Sequence, residues 1–306
     1  MSAPEPPQTR ALDWAGWALA LGSVLAFSIV TPVSKTALGL GLVPATQNTI
    51  RFGLAAALLG ATLAVTGREH FRLTGRALLV ALTAGASIGL GSLIYLAGLT
   101  HVDSSVAAMI FALEPLFVLG LLALRGERFT YRQIVRLGLA LGGVYLLIGP
   151  SGRVDLGGAG LIMIACLTFA LPMALIQWFL SGIDSRAVTF YMVTGMLAVN
   201  LVWWLGTGRE WHDPGPAGWL AILAIALVST YAARLLMVAA IGRLGSGQVA
   251  LLVPVEMMLT VLWSVLFLGD RLTLVQIIGG LLILLSASLS VVRLKRVPWR
   301  APSELP

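Results

Sequence analysis

Apolar residues fall in long unbroken blocks along this chain, separated by short polar connectors. A helix that crosses a bilayer needs about 20 mostly apolar residues. Ten stretches meet that demand: 13–37, 44–66, 76–99, 103–124, 131–149, 157–180, 186–206, 216–241, 246–268 and 273–293. The clearest is the last, which carries no charge from Thr273 to Val292. Barrel strands alternate apolar with polar residues, and these blocks do not, so helices are predicted. Helices also satisfy their own backbone polar groups where hydrocarbon offers no partner. The longest connector, 206–215, is too short for an extramembrane domain. Residues 1–12 are Pro-rich and expected to be disordered. The first block is too long for a signal-peptide core and is read as a retained span.

Composition supports the same picture. Of 306 residues, 58% are hydrophobic and 11% charged, against about 25% charged in an average soluble domain. So few charges cannot skin a water-soluble globule, and so many apolar residues exclude a disordered chain. A net charge of +7 in a soluble protein would suggest nucleic acid. Here the charges lie between apolar blocks, so they orient the chain instead, and no nucleic-acid partner is expected. With the N-terminus in the cytoplasm, 14 of the 20 Lys and Arg fall on the cytoplasmic side. Three (Arg153, Arg209, Arg271) fall outside, and three (Lys35, Arg51, Arg234) lie within spans. That asymmetry is the positive-inside pattern. It predicts an integral protein of the inner membrane with both termini cytoplasmic.

Two stretches of the chain match each other. Ser104-Ser105-Val106-Ala107-Ala108 leads to Glu114, then to Gly126-Glu127-Arg128-Phe129-Thr130 and Gln133. Ser246-Gly247-Gln248-Val249-Ala250 leads to Glu256, then to Gly269-Asp270-Arg271-Leu272-Thr273 and Gln276. The offset between the copies is constant up to the glutamates and longer by a single position after them. Leu25-Ala26-Phe27 matches Leu167-Thr168-Phe169 at the offset of the glutamates. The chain therefore divides into two five-span units, 13–150 and 151–293, followed by a cytoplasmic tail, 294–306. Five is odd, so the second unit is inverted relative to the first. The charges agree: the connector after the fourth span holds four arginines, and its counterpart after the ninth holds one. The predicted fold is an all-α polytopic membrane protein, ten helices in two inverted five-helix repeats around a central cavity. Inverted repeats with a midplane path are an architecture of secondary transporters.

These motifs resemble the EamA-type drug/metabolite transporter superfamily. The resemblance rests on Glu114-Pro115, on the Gly126-Glu127-Arg128-Phe129-Thr130-Tyr131-Arg132-Gln133 connector and on Pro44 followed by Arg51. The second copy departs from the pattern: Met257 follows Glu256, Pro254 precedes it, and Asp270 replaces Glu. The resemblance implies ten helices around a cavity and export of small metabolites, commonly amino acids. It names no solute.

Charges inside hydrocarbon cost about 2.5–3.5 kcal/mol each even on lenient scales, so each asks for a reason. Glu114 lies roughly 15 Å along its helix from Ser104, near the midplane. Glu256 lies equally deep from Ser246, entering from the other face. Glu114, Glu256 and Arg234 are expected to face the cavity. There they would meet the amino and carboxyl groups of a zwitterion or carry a coupling proton; the alternative is a set of fixed ties between helices. Arg51 is expected to be structural and Lys35 an interfacial anchor. Tyr231, Tyr95, Gln177 and Trp263 are weaker substrate-site candidates, and Tyr191, Asn200 and Gln248 are weaker still. Pro32, Pro115, Pro172 and Pro254 sit within spans and are candidate kinks or hinges. Gly85/Gly89 and Gly138/Gly142 have the small-xxx-small spacing of close helix contacts.

Other chemistries find little support. Cys166 is the single cysteine, so no internal disulfide forms. His70, His101 and His212 lie in separate connectors without metal-ligand spacing, and no cofactor is expected. Gly85-Ala86-Ser87-Ile88-Gly89 fits G-x-S-x-G, but it lies in a helix with no histidine in any span. No P-loop is present, which argues against self-powered ATP transport. The expected function is a secondary transporter exporting amino acids or related metabolites by alternating access. The alternatives are import or exchange of nucleoside, vitamin or sugar-phosphate-like solutes and, from another class, a membrane enzyme acting on lipid-linked substrates. Expected partners are a small solute, lipid and a coupling proton, with the chain as monomer or homodimer.

Overall fold

The computed structural model describes residues 13–66, 73, 75–123, 131–148, 154–180, 183–207, 213–244, 249 and 252–289. The two terminal segments and the first copy of the repeated connector, 124–130, lie outside them. No strand occurs among the described residues. Among the described residues helices occupy every predicted span, some as two pieces. They are α1 (Trp14–Ser28), α2 (Val30–Gly39), α3 (Pro44–Thr66), α4 (Gly75–Leu99), α5 (Ser104–Phe111), α6 (Glu114–Ala123), α7 (Tyr131–Ile148), α8 (Leu156–Leu175), α9 (Ser185–Gly206), α10 (Gly215–Ala224), α11 (Ala233–Leu244), α12 (Val253–Trp263) and α13 (Leu274–Leu289). The wider turns of a π-helix extend α8 over Ile176–Leu180 and α12 over Ser264–Leu268, and join α10 to α11 over Ile225–Ala232. Among the described residues, six spans are long and apolar enough to cross a membrane: Trp14–Gly39, Pro44–Val65, Gly75–Leu99, Leu156–Leu180, Arg186–Gly206 and Gly215–Ala240. Shorter apolar helices cover Ser104–Val118, Val255–Leu268 and Leu274–Ser286. The chain is an all-α polytopic membrane protein. Its outward side chains are those of a lipid-facing surface, with Leu141, Tyr145, Phe267, Leu274 and Leu281 all more than half exposed.

Packing follows a two-fold relation between the halves. The third span packs on the sixth and the seventh, and its mirror, the eighth, packs on the first and the second. The second, fourth and fifth spans each pack on their own mirror images, the seventh, ninth and tenth. Hydrogen bonds repeat the relation. Ser87 Oγ donates to the Thr168 carbonyl at 2.7 Å. At the equivalent position of the second copy, Ser229 Oγ donates to the Ala26 carbonyl at 2.6 Å. The Ser87 of the hydrolase-like motif is thus a helix tie. Its acceptor carbonyl is the one that Pro172, a turn later, leaves without an N–H partner. Pro32 likewise frees the Ser28 carbonyl, which accepts from Thr260 Oγ1 at 3.0 Å. The kinks are therefore locked across repeats.

The repeated connector explains itself at its second copy. Gly269 adopts φ +71°, a left-handed conformation natural to glycine, and stops the ninth span. Thr273 and Gln276 form a capping box that starts α13: Gln276 Oε1 accepts from Thr273 N at 2.9 Å, and Thr273 Oγ1 accepts from Gln276 N at 3.2 Å. Asp270 reaches across to α5. Its carboxylate accepts from Ser105 N at 2.9 Å and from Ser105 Oγ, while the local Asp103 makes no cap bond. Asp270 thus lies at the N-terminal end of the fourth span. The first copy of the connector follows the other end of that span.

Of the small-residue pairs, Gly85 and Gly89 pack where their spacing predicts. A Cβ on Gly85 would lie 2.0 Å from the Met192 carbonyl oxygen, and one on Gly89 2.9 Å from Met196 Cα. Gly138 and Gly142 do not, since nothing stands within 4 Å of either position. Gly143 makes that contact instead, 2.7 Å from the Gly279 carbonyl oxygen. Spacing alone does not select the face of the helix; here the residue after Gly142 meets the tenth span.

Candidate functional site

A cavity of about 180 Å³ lies between the halves, room for on the order of ten water-sized groups. Eight spans line it; among the described residues the fifth and tenth contribute nothing. Much of the lining comes in pairs related by the repeat: Phe27 with Phe169, Thr31 with Met173, Tyr95 with Met237, Phe111 with Val253, Glu114 with Glu256, and Ser92 with Arg234. The dyad of the fold therefore passes through the site.

The backbone brings each glutamate there in the same way. The fourth span breaks between Phe111 and Glu114, and Pro115 has no N–H to continue it. Glu114 consequently sits in the first turn of α6. Pro254 starts α12, and Glu256 sits in its first turn. The unpaired N–H groups and dipole of a helix start favour a carboxylate. Neither side chain makes a hydrogen bond or ion pair among the described residues. Glu256 is within Coulombic reach of both Glu114 and Arg234.

The two arginines are placed on one side. Arg51 is buried, donates from Nε to Thr230 Oγ1 at 2.6 Å, and lies 5.1 Å from the centroid of the Phe52 ring. Arg234 is 9% exposed and its Nε has no hydrogen-bond partner. Its guanidinium stands 5.8 Å from the Phe27 ring centroid. The two guanidinium groups lie within each other's field. Arg51, expected to be structural, is both a tie and part of the lining. Its depth within a span is the one signal the sequence carries for that, and depth is equally a reason for pairing.

Other candidates go elsewhere. Tyr95 lines the cavity and shares a 2.9 Å hydrogen bond with Thr31 Oγ1. Tyr231 lies outside the lining and bonds Thr62 at 2.7 Å. Trp263 also lies outside it, donating to Ser28 Oγ at 3.0 Å and stacking on Phe267. Asn200 is an interhelical tie, donating to the Gly89 carbonyl at 3.1 Å. The side chains of Gln177, Pro115 and Pro254, and all of Gln248, fall outside the described residues. Pro172 lines the cavity and Pro32 does not. Sequence reasoning missed the walls, namely Phe27, Phe111 and Phe169 with Met173 and Met192. Nothing distinguishes an apolar side chain facing a passage from one facing lipid until the helices are packed.

Lys35 is more than an anchor. Its Nζ donates to the carbonyls of Leu99 and, at 2.7 Å, Val102, where cations suit a helix C-terminus. Asp103 and Asp270 are within its Coulombic reach. Ser264 Oγ donates to Ser104 Oγ at 2.8 Å beside it. Three members of this knot lie one turn beyond a lining residue: Lys35 beyond Thr31, Leu99 beyond Tyr95, Ser264 beyond Thr260. The knot stands beyond that end of the cavity, on the face that the charge pattern predicts to be outer. At the opposite end stands an exposed ion pair, Asp13 with Arg243 at 3.6 Å.

The EamA-like transporter family model matches residues 14–149 and again 156–292. The chain belongs to the EamA-like transporter family. Among its relatives, an "Uncharacterized transporter" of Archaeoglobus fulgidus is 26% identical over 190 residues, 62% of this chain and 68% of that one. "Uncharacterized transporter YcbK" of Bacillus subtilis is 29% identical over 195 residues, 60% of this chain; the match spans 62% of YcbK's length, under two thirds. One solved crystal structure superimposes with a TM-score of 0.66 at 16% identity, over 90% of this chain and 95% of that one, a likeness of fold. The EamA-like resemblance drawn from the sequence holds, and the protein is an integral membrane protein of a transporter family.

Proposed function

We propose that this EamA-like protein is a secondary carrier, not an enzyme, that exports amino acids or closely related metabolites across the inner membrane by alternating access. One observation carries the reading. Two carboxylates and two guanidinium groups converge on one cavity, without an ion pair between them among the described residues. Charges used only as helix ties would be paired, because an unpaired buried charge is costly. A zwitterion completes the set by offering an amine to Glu114 and Glu256 and a carboxylate to the arginines. A proton and the amine compete for the same carboxylates, so solute and proton move in opposite directions. The knot of Lys35, Asp270 and Ser105 is the outer closure, and it opens when the inner end closes. Both termini lie in the cytoplasm, and one chain suffices, since the cavity forms within a single copy.

The test is metabolite profiling of the medium from cells overproducing the chain, with Glu256→Ala/Arg234→Ala as control. An amino acid or relative that accumulates outside only with the intact chain is the expected result. Identical profiles for both overturn export. In vesicles, Glu114→Gln and Glu256→Gln are expected to flatten the pH dependence of flux. Wild-type pH dependence in both removes the proton from the mechanism.

A further inference from the structure

The dyad that relates the two glutamates does not relate the arginines. The repeat sets Arg51 against Val193, which is fully buried, and Arg234 against Ser92. Both arginines therefore stand on the side where the second and eighth spans meet, joined through Thr230. The mirrored side, where the seventh and third spans meet, is neutral. There Ser92 accepts from Asn48 at 3.1 Å and is already satisfied. A passage with symmetric acids has one electropositive flank.

That flank has unused donors. Arg234 is about nine-tenths buried, lines the cavity and makes no hydrogen bond among the described residues. Arg51 also lines the cavity, and among the described residues only its Nε donates to the protein, which leaves its Nη donors unused. Glu256 is within Arg234's field but outside contact distance. A planar anion able to take two forked donors fits such a pair, and a carboxylate is that shape. Away from the arginines the walls are apolar and aromatic. Tyr95, Phe111 and Phe169 run edge to face, with centroids 5.5 and 5.1 Å apart, and Met192 adds a pliable surface beside them.

We infer that Arg51 and Arg234 form a carboxylate clamp on one flank of the passage, and that the solute is a monocarboxylate with a bulky apolar body lying against the Phe111–Phe169 wall. This rests on the transporter reading and names its cargo class. It also fixes the solute's direction in the cavity: carboxylate toward the second and eighth spans, body toward the third, fourth and sixth. Around the clamp the charged and titratable groups are Glu114, Glu256 and Tyr95.

The test uses the purified full chain in nanodiscs and three probes: phenylalanine, phenylalaninamide, which lacks the carboxylate, and 3-phenylpropanoate, which lacks the amine. Equilibrium binding is expected for phenylalanine and 3-phenylpropanoate, with the amide at least tenfold weaker. Arg51→Gln and Arg234→Gln each are expected to weaken 3-phenylpropanoate at least tenfold. Should either variant fail to fold, the wild-type chain serves: 3-phenylpropanoate protects Arg51 and Arg234 from phenylglyoxal, and the amide does not. Amide binding equal to that of the acid, no binding of either carboxylate, or absence of protection overturns the clamp. Efflux in cells separates the two readings. A chain that exports metabolites yet binds the amide as well as the acid keeps the transporter and loses the clamp. One that binds the acid yet supports no efflux does the reverse.

Discussion

In one half of the molecule the third span lies against the seventh through glycines; in the other half the eighth span, which packs on the second, carries side chains at the equivalent positions. Gly85 and Gly89 correspond to Leu227 and Tyr231. Gly195 would put a Cβ 2.4 Å from the Leu82 carbonyl oxygen, while its mirror Gly53 has nothing nearer than 3.8 Å. The tight side is the neutral one. The looser side holds Arg51, Thr230 and Arg234 and carries the π-helical stretch Ile225–Ala232. Room for polar chemistry arose where backbones were held apart. One inherited architecture thus supplies a rigid flank and an equipped flank.

The comparison can be broken most severely at the glycines. Gly195→Leu is expected to cost about 3 kcal/mol or more through overpacking against backbone, whereas Gly53→Ala stays within a few tenths of wild type. Thermal unfolding in detergent measures both, and equal losses would show that the two contacts are alike. Next, Arg234→Gln is expected to lower solute efflux at least tenfold, about 1.4 kcal/mol. Its mirror, Ser92→Ala, changes efflux a few-fold at most. Equal defects would make the flanks equivalent. Asp270→Asn weakens the cap on α5 by about 1 kcal/mol, enough to shift an open–closed balance about fivefold. Because Thr31 lines the cavity, Thr31→Cys should react about fivefold faster with an impermeant thiol reagent from outside in that background. An unchanged rate would show that the knot does not hold the closure. The smallest effects come from the mirrored ties. Ser87→Ala and Ser229→Ala should each cost about 0.6 kcal/mol, and losses that differ severalfold would show that the symmetry stops at geometry.

Much of this is legible in the sequence, for identifiable reasons. Spans follow from block length, because the bilayer sets that length. Inversion follows from an odd span count and from the arginines lost between connectors. Glu114 and Glu256 stand out because a charge amid apolar residues is conspicuous and the repeat marks both. Arg51 departs from its expected role because depth along a helix says nothing about azimuth, and whether a buried charge meets a tie or an open space depends on neighbouring helices. Lys35 resembles a snorkelling anchor in sequence because its acceptors, the carbonyls of Leu99 and Val102, lie 64 and 67 residues away. The Phe and Met walls carry no signal, since membrane helices are apolar on every side. The repeated connector is legible as a motif, and its work is architectural: a stop, a cap in trans and a capping box.

The wide-turned stretch Ile225–Ala232 lies just before Arg234. A π-helical stretch absorbs an added residue without breaking the helix, so loss of one residue there would restore ordinary winding. Everything beyond would then keep close to its present azimuth, because the wide turns already take up the extra residue, whereas a residue lost from the ordinary α-helical turns would swing the guanidinium by about 100°. The stretch is therefore a buffer that lets this helix gain or lose a residue while Arg234 stays on the passage.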